Sequence, residues 1–180
     1  MDTMQYTHLY RSPLGTITLA ADSEGLTGLW FEGQKYFAAT LDAQHEETML
    51  PIFEQTRRWR DNYFGGNDPG PTPPLHLQGS PFRLAVWEIL RQIPFGKTIT
   101  YGEIAREIAR RQGSKTVPAQ AVGGAVGHNP VSIIVPCHRV VGSNGSLTGY
   151  AGGIERKVRL LALEKADMTG LFAPQKGTAL

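Results

Sequence analysis

The segment over residues 65–81, GGNDPGPTPPLHLQGSP, is the feature that most limits how this chain can fold. It contains four glycines and five prolines, a composition that helix interiors and central strands do not accept. The sequence therefore predicts an extended connector over 65–81. A chain of 180 residues is long enough for two small compact units. We expect one domain over 1–64, a second over 82–166, and a tail over 167–180.

The balance of charge changes sign at the same point. Residues 1–79 contain 5 Lys and Arg against 10 Asp and Glu, whereas residues 80–165 contain 12 against 5. Such an asymmetry is expected if only the second half meets a polyanion, for example a nucleic acid. The alternative is a chance distribution of solvated surface charge.

Composition also indicates a compartment. The first 15 residues lack the basic and apolar regions of a secretory signal, and no apolar run approaches the roughly 18 residues of a membrane-spanning helix. The only cysteine, Cys137, excludes an internal disulfide and a multi-thiolate zinc site. We therefore expect a cytoplasmic protein without a membrane partner.

The N-terminal half has the alternation that is typical of strands. Three candidate strands, separated by turns at 12–15 and 23–25, cover residues 6–10, 16–21 and 26–31. A helix is predicted over 48–64, with Leu50, Phe53, Arg57 and Phe64 on one side. These elements predict a small antiparallel sheet covered by a helix.

The second half is predicted to be mainly helical, so the fold class is α+β. An apolar stripe over 82–93 precedes a capping box at Thr100 and Glu103, which begins a helix over 101–111. Pro118 suits the first turn of a helix over 118–127. The remaining predicted elements are a short strand over 132–135 and a helix over 154–165.

The helices over 101–111 and 118–127 form a candidate helix-turn-helix. The first carries Arg106, Arg110 and Arg111, and Lys115 lies in the turn, all suited to phosphate contacts. The second is rich in small residues, among them Ala121 and Gly124. These residues read base edges poorly, but they allow the backbone to approach a shallow groove. The alternative is a tightly packed pair of core helices.

Cys137 lies in IIVPCHRVVG. A cysteine attacks as its thiolate, which is a few per cent of the population at neutral pH, so the group needs a base or a positive environment. His138 is adjacent, but adjacency in sequence does not establish contact. Five glycines follow over 142–153, which makes the loop permissive enough to surround a flat ligand. The alternative is a buried structural cysteine.

Glu164 falls on the side of the last predicted helix that carries Lys157, Leu160 and Leu161. If that side faces inward, the carboxylate needs a buried partner, and a histidine would serve. The alternative is a solvent-facing glutamate at the helix end. The spacing leaves both open.

Together, the motifs TITYGEIA, AVGGAVGHNP, IIVPCHRVVG and GSLTGYAGGIERKVRLLALE resemble the O6-alkylguanine-DNA alkyltransferase family. The order and spacing carry the resemblance, with Asn129 eight residues before Cys137. It covers most of 80–165, whereas the N-terminal half fits in size and in its sheet-plus-helix character.

The resemblance implies that a damaged guanine is turned out of the duplex into a pocket beside the thiol. Cys137 would accept the alkyl group, His138 would act as base through an ordered water, and Glu164 would orient the histidine. Tyr101 would donate to a purine ring nitrogen, and the carbonyl groups of Cys137 and Val140 would receive the exocyclic amine.

Further roles follow from the same resemblance. The pocket would be shaped by Tyr150, Ala151, Gly152 and, as a neighbour, Lys157. Asn129 would fasten the turn between the DNA-binding helix and the active site. The partner would be double-stranded DNA carrying O6-alkylguanine, with O4-alkylthymine as a second candidate lesion. Transfer would be irreversible and stoichiometric, by a monomer that needs no cofactor.

The sequence departs from the family pattern in one place that matters. Gln120 stands where many members carry an arginine finger, so base extrusion is expected to be less well supported. Ala151 stands where some members have serine, with little consequence if the pocket uses the main-chain N–H there. Some relatives bind zinc through N-terminal cysteines, which this half lacks, so no such site is expected.

Three other functions compete with alkyl transfer. A non-catalytic recogniser of damaged DNA would lack the acceptor cysteine, which is present here. A cysteine hydrolase built from Cys137, His138 and Glu164 would turn over through an acyl-enzyme. A plain helix-turn-helix regulator is disfavoured because its second helix would read few bases.

Overall fold

The structure is a computed structural model, and it describes residues 4–174. The chain forms two compact units. The first contains the chain up to Gln78 together with Pro130–Ile134, and the second contains Gly79–Asn129 and the chain from Val135 onward.

The first unit is built on a four-stranded sheet of order β3-β2-β1-β4. Strands β1 (Gln5–Ser12), β2 (Gly15–Ala21) and β3 (Leu26–Phe31) pair in antiparallel fashion, which confirms the predicted sheet. The fourth strand, β4 (His45–Glu47), pairs parallel to β1 and was not predicted. Its three residues are all exposed and polar, so they leave no alternation to detect.

Helix α1 (Pro51–Phe64) begins three residues later than predicted because Pro51 occupies its first turn. Its buried face consists of Phe53, Thr56, Arg60 and Tyr63. Arg57 and Phe64, which were predicted to lie on the side of Phe53, are half-buried at the edge of this face. Arg57 pairs with Glu54 and Asp61.

Residues 65–78 of the predicted connector belong to the first unit, whereas residues 79–81 belong to the second. Leu75 forms a parallel bridge with Leu26, in which the Leu26 N–H donates to the Pro74 carbonyl and the His76 N–H donates to the Leu26 carbonyl, both at 2.8 Å. A Cβ on Gly25 would lie 2.7 Å from the Pro74 carbonyl oxygen, so this close approach requires glycine.

The predicted strand over 132–135 was wrong. Only Val131 makes a bridge, with Leu29, and residues 132–135 turn. Ile133 has φ of 70°, an unusual value for a β-branched side chain, and its neighbour Ile134 donates its N–H to the Ser132 carbonyl at 2.8 Å. An apolar run that turns to reach Pro136 cannot be distinguished from a buried strand by its pattern.

The second unit is mainly helical. Its elements are α2 (Pro81–Arg91), β5 (Ile99–Thr100), α3 (Tyr101–Gln112), α4 (Ala119–Gly127), a 3₁₀ turn (Cys137–Arg139), β6 (Val140–Val141) and α5 (Ile154–Leu163). Strands β5 and β6 pair in parallel. None of the helices in residues 4–174 is long and apolar enough to cross a membrane.

The ends of the helices follow local chemistry. The predicted capping box is confirmed, because Thr100 and Glu103 each accept the other's backbone N–H. Helix α3 ends at Gly113, whose φ of 67° is left-handed. Pro118 is the N-cap residue of α4 and precedes the first turn in which we predicted it. Helix α5 ends two residues before the predicted limit, so Glu164 is its C-cap residue.

Part of the predicted tail is bound to the second unit. The Leu147 N–H donates to the Phe172 carbonyl at 2.9 Å, and the Phe172 N–H donates to the Gly145 carbonyl at 3.0 Å. We call residues 168–172 the C-terminal strap. Its Met168 and Leu171 pack on a small core cluster that includes Leu147. Residues 175–180 of the predicted tail lie outside the described part of the chain.

Candidate active site

Cys137 begins the 3₁₀ turn that follows Pro136. Asn129 lies two residues after the end of α4. It donates its side-chain Nδ2–H to the Val135 carbonyl at 2.7 Å and to the Cys137 Sγ at 3.1 Å. Only 4% of Cys137 is exposed. The amide of Asn129 therefore fixes both the backbone before the cysteine and the thiol itself.

Burial dominates the ionisation of this thiol. Burial raises the pKa of Cys137 above its ordinary value, although the hydrogen bond from Asn129 and the positive charge of Lys157 act in the opposite direction. The resting thiol is therefore protonated at neutral pH. A reaction through the thiolate needs a group that takes this proton.

His138 and Glu164 form a buried pair. The imidazole Nε2 lies 2.5 Å from Oε2 of Glu164, and neither side chain has any exposed surface. Burial lowers the pKa of His138, and the neighbouring carboxylate only partly offsets this effect. Glu164 thus faces inward and contacts the histidine, the first of the two orientations that the sequence left open.

Arg139 is a member of this cluster that the sequence reasoning missed. Its Nε donates to Oε1 of Glu164 at 2.7 Å, and its Nη1 donates to the Ile93 carbonyl at 2.7 Å. The Gly96 N–H donates to the same Oε1 at 3.0 Å. The only available signal was the position of Arg139 beside Cys137 and His138, which does not specify a direction for the side chain.

The carboxylate of Glu164 is held in its charged form. Burial alone would raise its pKa, but the hydrogen bonds from His138 and Arg139 and the charge of Arg139 lower the pKa well below the usual range. Glu164 is therefore ionised throughout the physiological pH range.

Tyr101 and Lys157 meet at a carbonyl group that the sequence did not indicate. The Tyr101 hydroxyl donates to the Thr148 carbonyl at 3.1 Å, and burial raises the pKa of this tyrosine. The Lys157 Nζ donates to the Thr148 carbonyl at 3.2 Å and to the Val140 carbonyl at 2.5 Å. The Val140 carbonyl, a predicted acceptor for the purine amine, thus already receives one hydrogen bond.

The ammonium group of Lys157 lies in the protein interior, where its charged form is unfavourable. Its side chain is fully buried, and burial lowers its pKa to about 8, with the nearby Cys137 opposing this shift. A cation beside the sulfur favours the thiolate, so Lys157 supports ionisation of Cys137.

The glycine-rich loop continues from Thr148 to α5. Tyr150 is buried, and its ring makes an edge contact with the His138 ring at 6.4 Å between centroids. A Cβ on Gly152 would lie 2.6 Å from the Tyr150 ring, so the chain folds closely around the aromatic side chain. Ala151, between them, is half-buried.

The predicted phosphate-binding residues differ in their availability. Arg106 and Lys115 are exposed, whereas Arg110 and Arg111 both pair with Glu107, at 2.7 and 2.9 Å. These two arginines lower the pKa of Glu107 to about 2. Glu107 therefore neutralises part of the basic surface of α3.

Helix α4 presents a small outer surface. Gln120 and Ala121 are exposed near its start, and a Cβ added at Gly124 would meet no atom within 4 Å. The inner side is closed by Trp87 of α2, whose Nε1 donates to the Ala125 carbonyl at 2.8 Å. The helix therefore joins a packed interior to an outer face without bulky side chains.

No group of three or more His, Cys, Asp or Glu side chains within residues 4–174 is arranged to hold a metal ion. The groups that contact the Cys137 sulfur and the pocket carbonyls belong to asparagine, tyrosine and lysine. These residues donate hydrogen bonds, so the arrangement is suited to holding acceptor atoms and a thiolate.

Comparison with known families agrees with this arrangement. Residues 81–166 match the family described as 6-O-methylguanine DNA methyltransferase, DNA binding domain. Residues 5–75 match the ribonuclease-like domain of the same protein class. The chain belongs to the 6-O-methylguanine DNA methyltransferase family. This confirms the resemblance that the sequence motifs carried.

Individual members of this methyltransferase family align along nearly the whole chain. A methylated-DNA–protein-cysteine methyltransferase from Haemophilus influenzae is 42% identical over 166 residues, covering 92% of this chain and 88% of the relative. Another from Methanosarcina acetivorans is 42% identical and covers 88% of this chain and 97% of the relative. Among solved structures, Mycobacterium tuberculosis OGT in complex with DNA is 39% identical in sequence to this chain. The two structures superpose with a TM-score of 0.76, covering 94% of this chain and 99% of that one.

Proposed function

We propose that this protein repairs alkylated DNA by transferring the alkyl group of O6-alkylguanine irreversibly to Cys137. The observation that carries the proposal is the setting of the cysteine: Asn129 donates to its sulfur at 3.1 Å, and the next residue, His138, is paired with the buried Glu164. A chain of this family that retains a cysteine in such a setting has the nucleophile that alkyl transfer requires.

The transfer is a single displacement. The thiol proton passes to His138 through an ordered water, and the thiolate attacks the alkyl carbon on O6. A sulfur–carbon bond forms while the carbon–O6 bond breaks, and its electron pair stays on the purine. The guanine then takes up the proton, so the products are S-alkylcysteine and unmodified guanine. A thioether has no easy reversal, so each molecule reacts once.

The pocket residues act on the departing purine. Tyr101 leaves the Thr148 carbonyl and donates to a ring nitrogen, which stabilises the charge that develops on guanine. The Val140 and Cys137 carbonyl groups accept the exocyclic amine, while Tyr150, Ala151 and Gly152 enclose the base. The hydrogen bonds from Lys157 to the Val140 and Thr148 carbonyl groups support this role, because they hold in place the Val140 acceptor and the carbonyl group that Tyr101 leaves.

Helices α3 and α4 hold the DNA as a helix-turn-helix and present the lesion. Arg106, Arg110 and Lys115 contact phosphates, and the small outer face of α4 lies in a shallow groove while the damaged base is turned out. Gln120 occupies the space that the base leaves. The open space beside Gly124 supports a close approach of the backbone to DNA.

Intact-mass measurement tests the proposal. The protein is incubated with a duplex oligonucleotide that contains one O6-methylguanine, with an undamaged duplex as control. We expect each molecule to gain a single methyl group, with none gained by Cys137→Ala or with undamaged DNA. Unchanged mass in the wild-type protein would refute the proposal, and release of product beyond one equivalent would favour the cysteine hydrolase. The same assay with O4-methylthymine determines whether that lesion is also a substrate.

A further inference from the structure

The two oxygens of Glu164 have different partners. Oε2 faces the imidazole of His138 at 2.5 Å, while Oε1 accepts from Arg139 Nε at 2.7 Å and from the Gly96 N–H at 3.0 Å. Only 8% of Arg139 is exposed. The Arg139 guanidinium is therefore buried and contacts the same carboxylate as His138, the residue beside the nucleophile. An ion pair in this position affects the histidine, unlike one on the surface.

We propose that Arg139 is a positioning residue for alkyl transfer, which fixes Glu164 toward His138 and supplies the charge that keeps the imidazole neutral and able to accept the thiol proton. The inference rests on the proposed function, because it concerns the base of the same reaction. The arginine touches neither the substrate nor the sulfur in this scheme, and it acts through Glu164.

The charged groups around His138 determine whether its imidazole is protonated. A buried histidine beside a lone buried carboxylate would tend to bind a second proton and form an imidazolium–carboxylate pair. An imidazolium cannot take the proton of Cys137. Here the carboxylate is already paired with Arg139, and the ammonium of Lys157 adds a second positive charge nearby. Burial lowers the pKa of His138, and the charges of Arg139 and Lys157 lower it further, against the opposing effect of Glu164.

Geometry fixes the arginine in this position. Its Nη1 is held by the Ile93 carbonyl at 2.7 Å, and the guanidinium carbon lies 5.8 Å from the centre of the Phe95 ring. The Gly96 N–H comes from the same turn and reaches the same oxygen, but it carries no charge. It can orient Glu164 without Arg139, although it cannot offset a positive charge on His138.

The test is the pH dependence of methyl transfer from an O6-methylguanine duplex. We expect the ratio of the rates at pH 8 and pH 6 to be about tenfold larger in Arg139→Gln than in the wild type, because the imidazole of the variant binds a proton more readily. Arg139→Lys keeps the charge and should restore a ratio close to that of the wild type. Arg91→Gln, at an exposed position of α2, controls for loss of a positive charge elsewhere.

The outcomes distinguish a positioning role of Arg139 from a purely structural one. A rate that falls equally at both pH values would mean a structural role only, and would overturn the inference. Failure of the wild type to become methylated would instead refute the proposed function.

A measurement on the wild-type protein keeps the inference testable if Arg139→Gln does not fold. Nitrogen-15 NMR of labelled histidine should show His138 at pH 7 as a neutral ring with its proton on Nε2. An imidazolium signal for His138 at that pH would overturn the inference.

Discussion

The side-chain amide of Asn129 donates a hydrogen bond to the sulfur of Cys137 at 3.1 Å, across eight positions in the sequence. The same Nδ2 donates to the Val135 carbonyl at 2.7 Å. One side chain thus closes the loop that precedes the cysteine and stabilises the charged form of the thiol. Both effects depend on the same Nδ2–H donor.

Replacing Asn129 by aspartate keeps the shape of the side chain but removes the donor and adds a negative charge beside the sulfur. We expect methyl transfer to slow by about a hundredfold, because the thiolate loses a hydrogen bond and gains a repulsive neighbour. The rate should recover in part as the pH is raised. Single-turnover transfer from an O6-methylguanine duplex between pH 6 and pH 9 measures this, and a variant that transfers at the wild-type rate would contradict it.

Asn129→Leu is the matched variant for the structural effect. It leaves the buried Val135 carbonyl without the Asn129 donor, so we expect the free energy of unfolding to fall by about 1–3 kcal/mol. Chemical denaturation at pH 7 provides the measurement. An unfolding free energy equal to that of the wild type would contradict this prediction, because the Val135 carbonyl would then not depend on the Asn129 donor.

Lys157 gives a pH dependence with a definite sign. Its pKa is about 8 in the folded protein against an ordinary value of 10.5, so the unfolded chain binds more protons between those values. The contribution of Lys157 to stability therefore rises from about pH 8 to pH 10.5, by roughly 3 kcal/mol. Burial of Cys137 and Tyr101 acts in the opposite direction at alkaline pH, since both have raised pKa values.

Lys157→Met isolates this contribution. The difference in unfolding free energy between wild type and Lys157→Met is expected to move in favour of the wild type as the pH rises from 7.5 to 10. Urea denaturation of both proteins at matched pH values measures that difference. A difference that stays constant over this range would show that the lysine ionises normally in the folded state.

Glu107 limits the basic surface of α3. Because it pairs with Arg110 and Arg111, Glu107→Gln should release both for phosphate contacts. We expect tighter binding to undamaged duplex DNA and a steeper dependence on salt, with the log–log slope more negative by up to about 2. Glu88→Gln removes the same charge from an exposed position of α2. Equal slopes for these two variants would mean that only net charge matters.

Gln120 lies exposed at the start of α4, at the position that we propose fills the space of the extruded base. Gln120→Arg is expected to increase the transfer rate on duplex substrate several-fold, because a guanidinium stacks and carries charge where an amide does not. Single-stranded substrate, which needs no extrusion, should show little gain. Gln112→Arg, at the exposed end of α3, adds the same charge elsewhere. No gain, or an equal gain in the control, would refute this role.

The sequence predicted those parts of the protein that local chemistry determines. The α+β class, three strands and the capping box of α3 depend on alternation and on side chains a few residues apart. Strand β4 was missed because its pairing with β1 depends on a distant partner. The turn over 132–135 was mistaken for a strand because the φ of Ile133 has no signature in an apolar run, and neither has the bridge of Val131 to Leu29 that precedes the turn.

Some residues of the candidate site could be predicted from the sequence and others could not. Cys137, His138 and Glu164 were found from motif and helix position, and the partner of Glu164 was expected to be a histidine. Arg139 and the Thr148 carbonyl were not found, because their roles depend on which way a side chain turns and on which carbonyl groups a loop exposes. Neither property is encoded within a short window of sequence.

The C-terminal strap contacts the loop before Thr148 so closely that Gly145 has no room for a side chain. A Cβ on Gly145 would lie 1.9 Å from the Gly170 carbonyl oxygen, and Gly145 has φ of 91°. Gly153 has nearly the same φ, 93°, but nothing lies within 4 Å of its Cβ position. Gly153→Ala therefore measures backbone strain without a clash, about 1–3 kcal/mol at a φ of 93° and a ψ of 153°, whereas Gly145→Ala must also displace the strap.

We expect Gly145→Ala to lower the free energy of unfolding by at least about 2 kcal/mol more than Gly153→Ala does, since it adds a steric clash with backbone to the strain of a positive φ. Methyl transfer should slow as well, because the strap is hydrogen-bonded to the residues that precede the Thr148 carbonyl, which Tyr101 and Lys157 both use. Denaturation curves and single-turnover rates measured on both variants test this. Equal losses of stability would mean that the strap moves aside without cost, and the loop would then be held by Lys157 and Tyr101 instead.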